Sequence, residues 1–188
     1  ADGFAGQRVP TLVEVLDLMR HRALVVVELK AEFITERVLK VIDDVAAVDG
    51  VVIQSFSAES ARRAKALAPT VPAALLVGDL PTSPSRIRAR RLAREVLGVG
   101  ANALNIWHAA LTPPFFEEMR KRGITVWTWT VDEEDVMRDV IQMGVYDRVD
   151  VSQGDLETLL PRKDHSSESP RGSGLRLRDH GWEAASRR

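Results

Sequence analysis

The sequence predicts an α/β protein of the (β/α)8 barrel type, of which about six βα units are present. Three observations lead there. Short runs rich in β-branched residues alternate strictly with amphipathic stretches of helical period. The short runs are almost continuously apolar, as strands of a parallel sheet covered by helices must be. The residues that follow them are charged, amide or aromatic, with no glycine-rich phosphate loop, which fits a barrel mouth better than a doubly wound sheet.

A leading helix is expected over Thr11–Arg20, because Leu12, Val15, Leu16 and Met19 share one face and Thr11 stands three residues before Glu14 as a cap. Strands are expected at Ala23–Lys30, Gly50–Phe56, Pro72–Gly78, Ala103–His108, Ile124–Val131 and Arg148–Ser152. Between them the period changes to 3.6 residues, which gives helices at Thr35–Val48, Ala58–Leu67, Ser85–Leu97, Pro114–Arg122 and Glu133–Met143. A short final helix fits Asp155–Leu160. A closed eight-stranded barrel takes about 250 residues, so two N-terminal βα units are expected to be missing. The open sheet edges that result are expected to promote self-association.

The chain has 188 residues, 45% of them hydrophobic and 28% charged, which supports one sizeable core and argues against a disordered chain. The barrel portion is assigned to residues 1–160. From residue 161 to 188 the composition turns to Ser, Pro, Gly and charge, and a disordered polar tail is expected. A net charge of -1 gives no reason to expect a nucleic acid or an anionic membrane as partner. No apolar run reaches the roughly 18 residues of a membrane span, and a cytoplasmic location is expected. The absence of cysteine removes disulfides, thiolate catalysis and cysteine-based metal sites together.

Candidate site residues stand at strand ends. In VVVELK the period of two puts Val26, Glu28 and Lys30 on one face, read as the interior mouth. A carboxylate and an ammonium after three valines must pair with each other or serve a ligand. Glu28 is a hard oxygen ligand suited to Mg2+ or Ca2+, and Lys30 a donor to an anionic oxygen. Gln54 shares a face with Val52 and Phe56, and either offers its amide to a substrate or satisfies loop backbone. Trp127 and Trp129 share a face that either lies under the helices or lines the mouth. His21, His108, His165 and His180 are not clustered, and no residue of this chain is assigned a catalytic role.

The order PTLVEVLDLM, VVVELK, VVIQSF, GITVWTWTVD and DLETLL, from about Arg8 to Leu160, resembles the glycerophosphodiester phosphodiesterase family. That resemblance implies a phosphodiesterase of lipid and glycerol metabolism, a barrel that uses a divalent cation to hydrolyse small glycerophosphodiesters to glycerol 3-phosphate and an alcohol. It implies Glu28 as a metal ligand, Lys30 as a phosphate contact and Trp129 as part of the substrate pocket. The family's opening His-Arg-Gly, Glu-x-Asp and His-Asp segments, which carry its acid/base histidines and further metal carboxylates, have no counterpart here. The ligand set is therefore incomplete, and this chain alone is expected to be inactive. The competing expectations are a non-catalytic binding module derived from the same barrel, and a lyase or aldolase using the Lys30 amine, which the nearby Glu28 carboxylate disfavours.

Overall fold

The computed structural model describes residue 6 and residues 8–145. The expected strand at Arg148–Ser152, the helix at Asp155–Leu160 and the tail from residue 161 lie outside the described residues. Five strands, β1 (Val25–Glu28), β2 (Val51–Ser55), β3 (Ala73–Val77), β4 (Ala103–Trp107) and β5 (Thr125–Trp129), form one sheet in sequential order, every pair parallel. Six helices alternate with them: α1 (Leu12–Met19), α2 (Thr35–Asp44), α3 (Ala58–Leu67), α4 (Arg86–Gly98), α5 (Pro113–Arg120) and α6 (Glu134–Gln142). The architecture is an α/β half-barrel, the alternation giving the α/β class. No helix among the described residues is long and apolar enough to cross a membrane.

Local chemistry sets the helix ends. Thr11 and Glu14 form the expected capping box on α1: the Glu14 N–H donates to Thr11 Oγ1 at 3.3 Å, and the Thr11 N–H donates to Glu14 Oε2 at 2.7 Å. Ser57, Ser85 and Thr112 cap α3, α4 and α5 through the same hydroxyl-to-N–H bond, and Pro113 starts α5 where no intrahelical donor is needed. α4 and α5 close on Gly100 and Gly123, both at positive φ, with the next N–H reaching back to Val96 O and Met119 O. α2 makes the same closure without glycine. Ala46 sits at φ 51, and the Ala47 N–H donates to Ile42 O at 2.9 Å.

Alternation along each strand divides the side chains between two environments. Outward residues pack under the helices, where Leu75, Leu104, Ile106 and Val126 meet Leu92, Val96, Phe115 and Met119, and where Ile53 and Val51 meet Leu16, Leu39 and Ile42. Inward residues form a smaller apolar floor of Val52, Ala74, Ala103 and Trp127, with Val26 against it. The core beneath the helices is therefore much larger than the apolar floor of the concave face.

Two outcomes follow from these ends. Ala46→Gly should raise stability by about 1 kcal/mol, because a β-carbon in the left-handed region costs roughly that much. Ala47→Gly in the same turn should not, and equal urea midpoints for Ala46→Gly and the parent would refute the strain. The second concerns acid. Glu14, bound by Arg8 and by the Thr11 backbone and hydroxyl, has its carboxyl pulled down to about 2 from 4.5. A depressed carboxyl contributes stability that is fully present above the unfolded value and is lost as pH falls through the folded one. Glu14→Gln should therefore flatten the stability profile between about pH 4.5 and 2, and an unchanged acid limb in thermal melts would count against the assignment.

Candidate active site

Parallel order brings the C-terminal ends of all five strands to one rim, and the candidate residues stand on it. At the end of β1 the Lys30 Nζ donates to Glu28 Oε1 at 2.8 Å. The expected interior placement holds for Val26 and Glu28 but not for Lys30. β1 ends at Glu28; the Leu29 N–H still donates to Gln54 O at 2.8 Å while the Leu29 side chain sinks into the core beneath the helices. Past that point the chain leaves the strand, so Lys30 is 80% exposed and Glu28 27%. This is a rim pair, not a buried one, and it contributes little to stability.

Glu28, Lys30, Glu32, Phe56 and Ser57 line a cleft of about 420 Å³ beside the rim. Its wall is fixed by short bonds: Ser55 Oγ donates to Leu29 O at 2.7 Å and accepts from the Ser57 N–H, and Ser57 Oγ donates to Glu32 Oε1 at 2.6 Å. Glu32 and Ser57 are absent from the sequence expectation. Their signal is the spacing Glu28-x-Lys30-x-Glu32, which matters only once the chain after β1 is seen to fold back as a short 3-10 turn at Glu32–Ile34. A second cavity of about 360 Å³ opens at the opposite, N-terminal ends of β1 and β2 beside His21, and holds none of the candidates.

The described residues do not by themselves make a divalent-cation site. Among them no group of three or more His, Asp or Glu is placed to hold a metal, and one oxygen of Glu28 already accepts from Lys30. A hard cation takes several oxygen ligands. The expected Mg2+ or Ca2+ therefore has Glu28, with Glu32 on the same cleft, and no complete ligand set among the described residues.

The two tryptophans are settled by the sheet. Both point to the concave face, Trp127 into the floor and Trp129 onto the rim. Trp129 meets Phe56 edge to face, with centroids 6.0 Å apart and planes at 86°. They close over Gly78, where an added Cβ would stand 3.5 Å from the Phe56 ring and 3.7 Å from Trp129. Alanine would fit there, and a longer side chain would push the aromatic wall apart. His108, in a short turn after β4, stacks edge-on against Trp107.

Gln54 lies deeper than the sequence suggests. It stands beside Glu28 in the register, buried, and its Oε1 accepts from Asn105 Nδ2 at 3.1 Å. That bond crosses β3, whose inward residue in register with Gln54 is Ala74. The Gln54 Oε1 is held by a residue 51 positions away in the chain.

Asn105→Leu should cost about 1–3 kcal/mol, because it leaves Gln54 Oε1 buried without its donor. Gln54→Leu combined with Asn105→Leu should recover most of that loss. Urea unfolding of the two single variants and the double measures the coupling, and strictly additive losses would show that the pair does not form.

Comparison with known proteins fits this geometry. A curated glycerophosphodiester phosphodiesterase from Caldanaerobacter subterraneus subsp. tengcongensis is 30% identical over 148 residues, which cover 76% of this chain and 58% of that protein. The crystal structure of a glycerophosphodiester phosphodiesterase from Agrobacterium tumefaciens superposes with a TM-score of 0.64 at 24% identity, covering 82% of this chain and 63% of that one. An Oleispira antarctica phosphodiesterase in complex with the product sn-glycerol-3-phosphate superposes at 0.60, with 18% identity over 76% of this chain and 57% of that one. The chain thus spans a little over half the length of the curated relative it matches. At these identities the structural likenesses establish the fold, a barrel-type α/β arrangement. The sequence model of the glycerophosphoryl diester phosphodiesterase family matches residues 3–150, and the chain belongs to that family.

Proposed function

We propose that this chain contributes the C-terminal part of a glycerophosphodiester-hydrolysing site, acting on small phosphodiesters of glycerol to give glycerol 3-phosphate and an alcohol. The observation that carries the reading is the meeting of Lys30, Glu28 and the Trp129–Phe56 wall along one strand-end rim. Lys30 is the phosphate contact. An ammonium has three donors, so Nζ keeps its bond to Glu28 while offering others to the non-bridging oxygens of a phosphodiester anion. Trp129 and Phe56 give an apolar surface against which the glycerol carbons or the departing alcohol pack. Gln54, held through its Oε1 by Asn105, keeps its amide N–H groups for a substrate hydroxyl.

Glu28 is the carboxylate offered to a divalent cation whose remaining ligands are not among the described residues. Hydrolysis adds water to phosphorus and breaks the phosphorus–alcohol bond, so one proton leaves the water and one reaches the alcohol. Among the described residues His108 is the one histidine at the strand-end rim and His21 is at the opposite end, so no histidine pair stands ready for the two transfers. The second reading, a non-catalytic binding module, is favoured by that same lack of a proton-relay pair.

The 188-residue chain should release no measurable glycerol 3-phosphate from glycerophosphocholine, with or without Mg2+ or Ca2+. A chimaera joining the first strands of the Caldanaerobacter relative to this chain should do so, and Glu28→Gln should reduce that rate by at least about a hundredfold, the usual scale for a group acting on charge in the transition state. Turnover by the unfused chain, or a chimaera indifferent to Glu28→Gln, would overturn the assignment.

A further inference from the structure

The helices differ in how their charges are arranged. On α2, α3, α5 and α6 an acid and a base pair one turn apart, as in Lys40–Asp44, Arg62–Glu59, Arg120–Glu117 and Arg138–Glu134. α4, with the sequence RIRARRLAREVLG, breaks this rule, holding Arg86, Arg88, Arg90, Arg91 and Arg94 against Glu95 alone. All five arginines are exposed. Arg90 is tied to Glu118 of α5, Nε to Oε2 at 3.1 Å. Arg86, Arg88, Arg91 and Arg94 make no ion pair among the described residues.

This arrangement works against the helix that carries it. The first turn of α4 has no acidic residue, so Arg86 and Arg88 face the positive end of the helix dipole. Arg90–Arg94 and Arg91–Arg94 are like charges at neighbouring spacings. Packing is satisfied on the opposite side by Ala89, Leu92, Ala93 and Val96, so the core does not ask for them. In the middle of the outward stripe stands Ile87, 72% exposed, and Leu97 near the far end is 51% exposed.

We propose that the outer face of α4 docks the protein on an anionic phospholipid surface. The guanidinium groups of Arg86, Arg88, Arg91 and Arg94 meet headgroup phosphates and carboxylates, and Ile87 and Leu97 enter the interface. Charge complementarity selects an anionic partner. The two exposed aliphatic side chains select a bilayer over a nucleic acid, which would use aromatic stacking or a groove-shaped basic surface, and α4 presents no aromatic residue. The net charge of -1 for the whole chain conceals this patch because acids elsewhere, such as those opening α6, average it away. Arg88 also lines the depression shared by Phe56 and Gly78, so docking through α4 sets the strand-end rim beside the membrane. The docking surface stands independently of the hydrolytic reading.

Co-sedimentation of the 188-residue chain with vesicles tests it. Phosphatidylcholine vesicles containing about one third phosphatidylserine should retain the protein at low salt, pure phosphatidylcholine should not, and added NaCl should release it. R91E/R94E should weaken binding by more than about tenfold, at roughly fivefold for each guanidinium lost and more for reversal. R91K/R94K should bind like the parent, and Ile87→Ser should weaken binding several-fold without changing the salt dependence. The tail is present in every variant, so its arginines cannot produce the difference. R86Q/R88Q reports the same loss should R91E/R94E fail to fold by circular dichroism. Equal binding of R91E/R94E and the parent overturns the proposal. So does tighter binding to a short DNA duplex that Ile87→Ser leaves untouched.

Discussion

Parallel pairing of neighbouring strands is the constraint from which the rest of this protein follows. A parallel neighbour can be reached only by carrying the chain back across the sheet, so each strand is followed by a crossing segment that must bury an apolar stripe against it. Four such pairings in sequential order place every C-terminal strand end on one rim. They also make each strand two-faced, with Leu104 and Ile106 under the helices while Ala103 and Asn105 face the concavity. A single step along the chain therefore changes a residue's environment completely. Glu28 faces inward beside Gln54, and Leu29 is part of the outer core.

Small residues decide what the concave face can hold. Ala74 in the middle strand leaves space for the amide pair Gln54–Asn105 to meet across β3, and Gly78 above it lets Phe56 and Trp129 close edge to face. On the helix side the same device appears in α3, whose buried Ser60, Ala61 and Ala64 bring its backbone close to the sheet. Large side chains fill the helix layer, while the inner face sets the Gln54 amide oxygen on a defined donor, Asn105. Such an inner face positions ligands well, because a buried amide with one fixed partner has few alternative orientations.

Surface electrostatics follow a different logic on different helices. Most exposed charges are neutralised within a turn or by a neighbouring helix, as Arg63 is by Glu36, and the buried Glu118 is held by Arg90 and Arg122. The Arg90 guanidinium, helped by Arg122 and opposed by burial, holds the Glu118 carboxyl below its ordinary range. Among the described helices, α4 alone concentrates one sign of charge on a face that the fold leaves to solvent. Whole-chain charge is a poor guide to such a surface, since a sum over residues carries no information about their placement.

The sequence by itself determined the alternation of strand and helix, because periods of two and 3.6 are local properties of the backbone. α3 falls at the expected Ala58–Leu67, and the Thr11–Glu14 box lies where its spacing puts it. The barrel-type class, the family landmarks and the rim position of Glu28 were legible for the same reason. Boundaries shifted where side chains compete with period: α5 starts at Pro113 because Thr112 caps it, and β5 stops at Trp129. Tertiary structure decided the rest. Alternation has two phases, and only the docking of helices on one side told which face Trp127 and Trp129 share. Lys30 left the expected interior because β1 ended two residues earlier, a matter of pairing with β2. The Gln54–Asn105 bond and the meeting of Phe56 with Trp129 depend on the register between strands far apart in the chain. Such contacts exist only once the sheet has assembled, since no local pattern encodes the distance between residues that loops alone connect.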